Sequence, residues 1–177
     1  MNRYYTMNRY YTMMFAAVLG AACAIPSQAA DTLSMEAKQA YNQIKTNITK
    51  MAEGMPEENY SFKATPDVRT FGQLIGHIAD AQMGTCSAVN GEMKQLGASS
   101  KTSKADLVAA LKQSNDECDK AFEALTDQTA NEMVKTRRGE RSKLGTLMGI
   151  VIHDNEEYGY TAVYMRLKGI TPPSSAK

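Results

Sequence analysis

Two histidines are the whole imidazole complement of this 177-residue chain, and each lies inside a helical apolar pattern. His77 stands in FGQLIGHIADAQ, between Leu74 and Ala81 on one stripe. His153 opens HDNEEYGY and is followed four residues later by Glu157, which a helix places one turn along the same face. Taken alone, either histidine reads as a hydrogen-bonded core residue. Taken together, two imidazoles and a carboxylate converging between helices make a metal site, because ring nitrogens and carboxylate oxygens are donors that zinc accepts and three of them leave positions open for water or substrate. The same set suits non-haem iron, and nickel and manganese stay open; zinc is the first expectation.

The neighbours divide by direction. Glu156 points about 100° away from the pair and reads as supporting or structural. Asp80 follows His77 by three and either orients an imidazole or faces solvent. Tyr158, Tyr160 and Tyr164 fall on different faces of the last helix; Tyr164 is a core residue or the wall of a cavity. Arg166 is expected to hold a carboxylate or helix-end carbonyls. The sequence has no nucleophile elbow, phosphate-cradling glycine loop, CxxC pair or zinc-finger spacing, so no residue is assigned as catalytic.

The contexts of both histidines resemble the DinB-like family of helical-bundle metalloenzymes. Members carry one histidine in the second helix, in a setting like GHIADAQ, and two in the last, in a setting like H-x-N-E-H-Y-G-N, followed by a run like the YMRLKGITPPSS found here at Tyr164 to Ser175. The resemblance covers most of the chain after residue 29 and is strongest over 62–91 and 153–175. It places the first two ligands on His77 and His153, and the third on Glu157, where the family has histidine. A glutamate there hardens the donor set and makes it less positive by one charge, so a bound water should keep a higher pKa than in a three-histidine site. Characterised relatives are similar to thiol-dependent transferases and isomerases, and homodimerisation is implied by the resemblance alone.

The start of the chain reads as a targeting segment. Arg3 and Arg9 precede an apolar run from Met13 to Ile25, 13 residues long, short of the roughly 18 needed to cross a bilayer. Pro26 ends the run, and Ser27-Gln28-Ala29 fits a cleavage site. MNRYYT occurs twice, at 1–6 and 7–12, so Met7 is an alternative start. A lipoprotein reading is weak, since Cys23 follows Gly20-Ala21-Ala22 without the usual leucine. Residues 1–29 are therefore expected to be a signal peptide, with an uncleaved anchor as the alternative, and 30–177 one domain, secreted or periplasmic, with no stable membrane insertion of the mature chain. Losing two arginines and no acids takes the formal charge from +1 to −1, so no nucleic-acid partner follows from charge; a small molecule is the expected ligand. KTRRGER at 135–141 reads as a solvated loop rather than a phosphate site. Sequons at Asn47 and Asn59 matter only in a glycosylating host.

Positioning the site requires helices. Ala37, Tyr41, Ile44, Ile48, Met51 and Met55 recur at spacings of three and four, which predicts a helix over 32–54. Thr70 and Gln73 have capping-box spacing and open a second, with Phe71, Leu74, Ile78, Ala81 and Val89 inward and Asn90-Gly91 as its stop. A third runs from Ser103 to about Leu125 on Val108, Leu111, Cys118, Phe122 and Leu125, with Asn115 facing inward as a register device or a polar cavity group. Residues 126–141 suit an irregular loop or a short hairpin. The fourth spans about Ser142 to Leu167, capped by Gly169, with Pro172-Pro173 preventing continuation. The class is all-α, a four-helix bundle.

Cleavage would leave Cys86 and Cys118, an even count that favours a disulfide in an oxidising compartment over two separate thiols. Cys86 lies 16 residues after Thr70 and Cys118 lies 15 after Ser103. Those heights match if the second and third helices run parallel and differ by roughly 15 Å if they run antiparallel. The segment 91–102 can stretch to roughly 40 Å, enough for the crossover that a parallel pair needs. A bridge would thus accompany an up-down-down-up order, which the resemblance also implies. Two functions remain: a secreted metal-dependent transferase or hydrolase acting on a small molecule, or a non-catalytic binding or structural bundle whose metal site has decayed.

Overall fold

Hydroxyl side chains open three of the four long helices. In the computed structural model, which describes residues 31–137 and 139–176, Thr70 caps α2 (Phe71–Val89): its hydroxyl accepts from Gln73 N at 3.1 Å, and the Gln73 side chain accepts from Thr70 N at 2.9 Å. Ser103 caps α3 (Lys104–Glu123) and Ser142 caps α4 (Lys143–Leu167) by the hydroxyl alone, accepting from Asp106 N and Gly145 N. The first helix, α1 (Thr32–Gly54), has no cap from its own flanking side chain. The carboxylate of Asp127, from the distant segment after α3, accepts from Ser34 N at 2.8 Å and Leu33 N at 3.2 Å instead. Gly91 and Gly169 adopt left-handed φ of 86° and 73° where α2 and α4 stop, a conformation in which glycine carries no Cβ penalty. The expected signal peptide, 1–29, lies outside the described residues.

The helices form a bundle with one core, drawing on Tyr41, Ile48 and Met51 of α1, Phe71, Ile75 and Ile78 of α2, Leu107, Leu111 and Phe122 of α3, and Leu147 of α4. The buried face of α2 differs from the simple stripe expected of it: Ala81 and Val89 are half-buried, while Gln82, Met83 and Cys86 are buried. On α3, Leu107 takes the deep position and Val108 is half-buried.

Contacts give the direction of each helix pair. Gly72 packs against Leu107, Gln82 meets Ser114, and Cys86 is bonded to Cys118 with Cα atoms 4.9 Å apart, so α2 and α3 run side by side in the same direction. Arg69 meets Tyr164 and Gln82 meets Asp154, so α4 runs opposite to α2. Lys38 reaches Glu123 while Lys104 reaches Glu53, so α1 runs opposite to α3. Asn115 Nδ2 bonds Thr49 Oγ1 at 3.3 Å, tying α3 to α1. The crossover from α2 to α3 carries a single 3₁₀ turn at Ala98–Ser100, packed so closely on α2 that a Cβ at Gly76 would fall 2.7 Å from Ala98 O.

Residues 126–141 hold a hairpin: β1 (Met133–Thr136) pairs antiparallel with β2 (Gly139–Ser142), with Val134 opposite Arg141. Most of the basic run 135–141 is therefore strand rather than loop, and its described residues are largely exposed, as expected of a solvated segment. Gly139, at φ 108°, and Thr136, whose hydroxyl donates to Gly139 O at 2.7 Å, close its turn.

Candidate metal centre

α2, which begins behind the Thr70 capping box, carries His77 on the side that meets α4, and α4, which begins behind Ser142, carries His153 and Glu157 one turn apart on the side that meets α2. His77 Nε2 lies 3.2 Å from His153 Nε2 and 3.6 Å from Glu157 Oε1, and His153 Nε2 lies 3.9 Å from the same oxygen. All three residues that the spacing singled out meet at one point; they are a group whose ligand atoms lie within 4.8 Å of one another. The histidines are half-buried and Glu157 is only 6% exposed, so the centre is open on one side.

Three features decide whether a divalent ion fits. A triangle with those three sides has a circumscribed radius of about 2.1 Å, so one ion can sit at ordinary zinc–nitrogen and zinc–oxygen distance from all three atoms at once. The second oxygen of Glu157, Oε2, is buried without a hydrogen-bond partner, an arrangement costing about 1–3 kcal/mol or more for a charged group unless something compensates it. Finally, the ion-pair partners of Glu157 and of the neighbouring Asp154, among the described residues, are the two histidines. A metal binds imidazoles in their neutral form, and with both rings deprotonated the two carboxyl groups are where the balancing negative charge for a divalent cation would lie. The residues fit the ion.

Asp154 and its partners are the part that the sequence reading missed. Asp154 is fully buried; its Oδ1 lies 3.2 Å from His153 Nδ1, and its Oδ2 accepts from Gln82 Nε2 at 2.7 Å. Gln82 Oε1 in turn accepts from Ser114 Oγ of α3 at 2.7 Å. The available signal was an acid and an amide standing on otherwise apolar stripes, Asp154 between Ile150 and Tyr158, and Gln82 four residues after Ile78.

The environments push the two imidazoles apart. Burial moves His77 below the usual histidine range, and the positive charge of Arg69 adds to that. The hydrogen bond to Asp154 holds His153 above it, against burial. Burial raises the Asp154 carboxyl, against its hydrogen bonds from His153 and Gln82.

Other candidates sit elsewhere. Asp80 neither orients an imidazole nor faces free solvent: it accepts from Ala98 N at 2.7 Å, Ser99 N at 2.9 Å and Ser99 Oγ at 2.6 Å, and so fastens the crossover turn to α2. Glu156 is exposed and accepts from Tyr160 at 2.8 Å. Tyr158 bonds Ser174, and Tyr164 packs edge-on against Phe62 while donating to Arg69 O at 2.7 Å, a core role. Arg166 holds the Ser175 hydroxyl at 2.9 Å rather than a carboxylate or helix-end carbonyls, because the C-terminal 3₁₀ turn at Pro173–Ser175 folds back along α4.

Solved structures share this bundle. A DinB-like protein from Bacillus cereus superposes with a TM-score of 0.68 at 20% identity, covering 78% of this chain and 95% of that one. A DinB-family protein from Exiguobacterium sibiricum gives 0.59 at 14% identity, over 77% of this chain and 92% of that one. A histidine-to-alanine mutant of the mycothiol-dependent maleylpyruvate isomerase gives 0.59 at 13% identity, over 73% of this chain and 59% of that one. These likenesses speak to the fold. No protein with a curated description matches the sequence. The family model described as the DinB superfamily matches residues 40–160, more than half of the chain and a span that contains His77, His153 and Glu157, and the chain belongs to that superfamily.

Proposed function

We propose that the protein is an exported metal-dependent enzyme, a transferase or hydrolase of small molecules, in which His77, His153 and Glu157 hold one divalent ion, zinc in the first instance. The observation that carries this reading is the triangle of Nε2, Nε2 and Oε1 atoms, sized for a single ion, with an orphaned carboxylate oxygen at its edge. A divalent ion held there would polarise a carbonyl or activate a water at the open side of the centre. His77 and His153 would each present a bare Nε2, and Glu157 would supply the anionic donor. Asp154 would keep the His153 ring in place. The Cys86–Cys118 disulfide supports an oxidising compartment, and no helix among the described residues is long and apolar enough to cross a membrane. Small free thiols are scarce in such compartments, so the thiol dependence in one neighbour's name is not carried over.

The alternative, a bundle with a decayed site, calls for a glutamate released toward solvent. Glu157 is instead buried and directed at both imidazoles, which favours a working site. Elemental analysis of protein purified from its native compartment without chelators tests the reading: about one metal ion per chain is expected, and a metal-free protein that also takes up none on titration would overturn it.

A further inference from the structure

We infer that Asp154 is a positioning residue: held by Gln82 and Ser114, it fixes His153 in the tautomer with the proton on Nδ1, leaving Nε2 bare toward His77 and Glu157. The inference rests on the metal reading only for its consequence, not for its geometry.

The argument runs inward from α3. The Ser114 hydroxyl lies 2.9 Å from Leu111 O and closer, 2.7 Å, to Gln82 Oε1, and donating its one proton to the nearer oxygen leaves the Gln82 amide nitrogen as the group facing Asp154. That nitrogen donates to Asp154 Oδ2 at 2.7 Å. An ionised carboxylate can only accept, and with Oδ2 engaged, Oδ1 is left facing His153 Nδ1 at 3.2 Å. With no proton of its own to give, that oxygen can only accept from an Nδ1–H, which places the ring proton on Nδ1. Ser114, Gln82 and Asp154 are all fully buried, so water cannot substitute for any link. An i,i+1 neighbour on a helix ordinarily points to another face; Asp154 does so here, toward the core, and catches the rear of the ring whose front faces the site. A histidine so held is a better-oriented and more basic donor, and loss of such a partner typically weakens metal binding about 10–100-fold. The polar chain also spans three helices, with α2 and α3 locked together by Cys86–Cys118 four residues beyond both Gln82 and Ser114.

The test uses the full mature chain labelled with ¹⁵N-histidine, stripped of metal, at a pH where the rings are neutral. Long-range ¹H–¹⁵N spectra of the wild type should show His153 with Nδ1 protonated; a ring protonated on Nε2 overturns the inference, and this arm needs no variant to fold. Asp154→Asn, which keeps the shape, should shift His153 toward the other tautomer and weaken zinc binding by calorimetry about 10–100-fold. Ser114→Ala, which touches neither histidine, should move both readouts in the same direction. Wild-type tautomer and zinc affinity in Asp154→Asn, with melting temperature alone altered, would reduce Asp154 to a structural role and overturn the inference. A wild type that takes up no zinc but shows the Nδ1–H tautomer sinks the metal reading and leaves the positioning role standing.

Discussion

His77 Nε2 and His153 Nε2 face one another at 3.2 Å across the α2–α4 seam, 76 residues apart in the chain. Two protonated nitrogens cannot occupy that geometry without repulsion, so the pair shares one proton or binds one cation. Glu157 completes the set from the turn after His153.

The first prediction concerns that third donor. Losing a group behind a ligand costs about 10–100-fold in affinity, so losing the ligand itself should cost at least the upper end of that range. Glu157→Ala is expected to weaken zinc binding by on the order of 100-fold or more. Glu157→His, which restores the three-histidine pattern implied by the family resemblance, should strengthen zinc binding near neutral pH. Calorimetric titration of metal-free protein reads both; parent-like affinity in Glu157→Ala would show that Glu157 is not a ligand.

Asp80 should matter to stability rather than to metal. Its carboxyl is pushed up by burial but held below the usual range overall by hydrogen bonds from Ser99, Ala98 and Gly97. A depressed folded pKa contributes stability that is present above about pH 3.9, the unfolded value, and is lost as pH falls through the folded value. Asp80→Ala should destabilise by about 1–3 kcal/mol at pH 7, since it strands the buried Ala98 N–H. The gap between the urea melts of the two proteins should narrow as the pH drops below about 4, leaving the part that a protonated carboxyl, still an acceptor for Ala98 N, retains; a gap as wide at pH 2 as at pH 7 would count against this account.

Gly76 lets the same turn approach. A Cβ there would lie 2.7 Å from Ala98 O and 2.9 Å from Ala98 C and Ser99 Cα, all backbone atoms with no rotamer to yield. Gly76→Ala should cost about 1–3 kcal/mol, as overpacking does, although alanine is the better helix former. A variant as stable as the parent in denaturant would mean the crossover shifts freely.

How far the sequence discloses all this depends on whether information is local. Thr70 with Gln73, Ser103, Ser142, Asn90-Gly91 and Gly169 act within one turn of themselves, and the helix ends fall where those residues put them. The i,i+4 relation of His153 to Glu157 is likewise local, and the distant His77 is reached because it is the other imidazole in the chain. Asp154 escapes because its role depends on what α2 and α3 place opposite it, and Gln82 and Ser114 signal only that something polar is buried. Asp80 is misjudged for the same reason: its partners lie 18 and 19 residues on, in a turn whose position no periodicity reports. The strands of the hairpin are four residues each and mostly exposed, too short for an alternating pattern to stand out.

Export is tested at the N-terminus. Arg3, Arg9, the short apolar run and Ser27-Gln28-Ala29 lead to an exported protein beginning near Ala30 or Asp31. Intact-mass measurement of the protein from its native compartment should find that terminus. Soluble cytosolic protein beginning at Met1 or Met7 would contradict it.

The disulfide gives the last prediction. Cys86 and Cys118 are both fully buried, and their bridge joins α2 to α3 over a sequence separation of 32. Closing a loop of that length removes freedom mainly from the unfolded chain, which by the chain-entropy account is worth about 3–4 kcal/mol. Because neither sulfur is exposed, reductant should act on the folded protein slowly and on the unfolded protein fast. Alkylation of unreduced, denatured protein is expected to label neither cysteine. A double Cys86→Ala, Cys118→Ala variant should still fold, since the α2–α3 seam keeps Leu107, Leu111 and Ile78 buried, but with its urea midpoint lowered in proportion to the lost loop constraint. Quantitative labelling of both thiols in protein from the native compartment would remove the bridge, and with it the main structural support for an oxidising location.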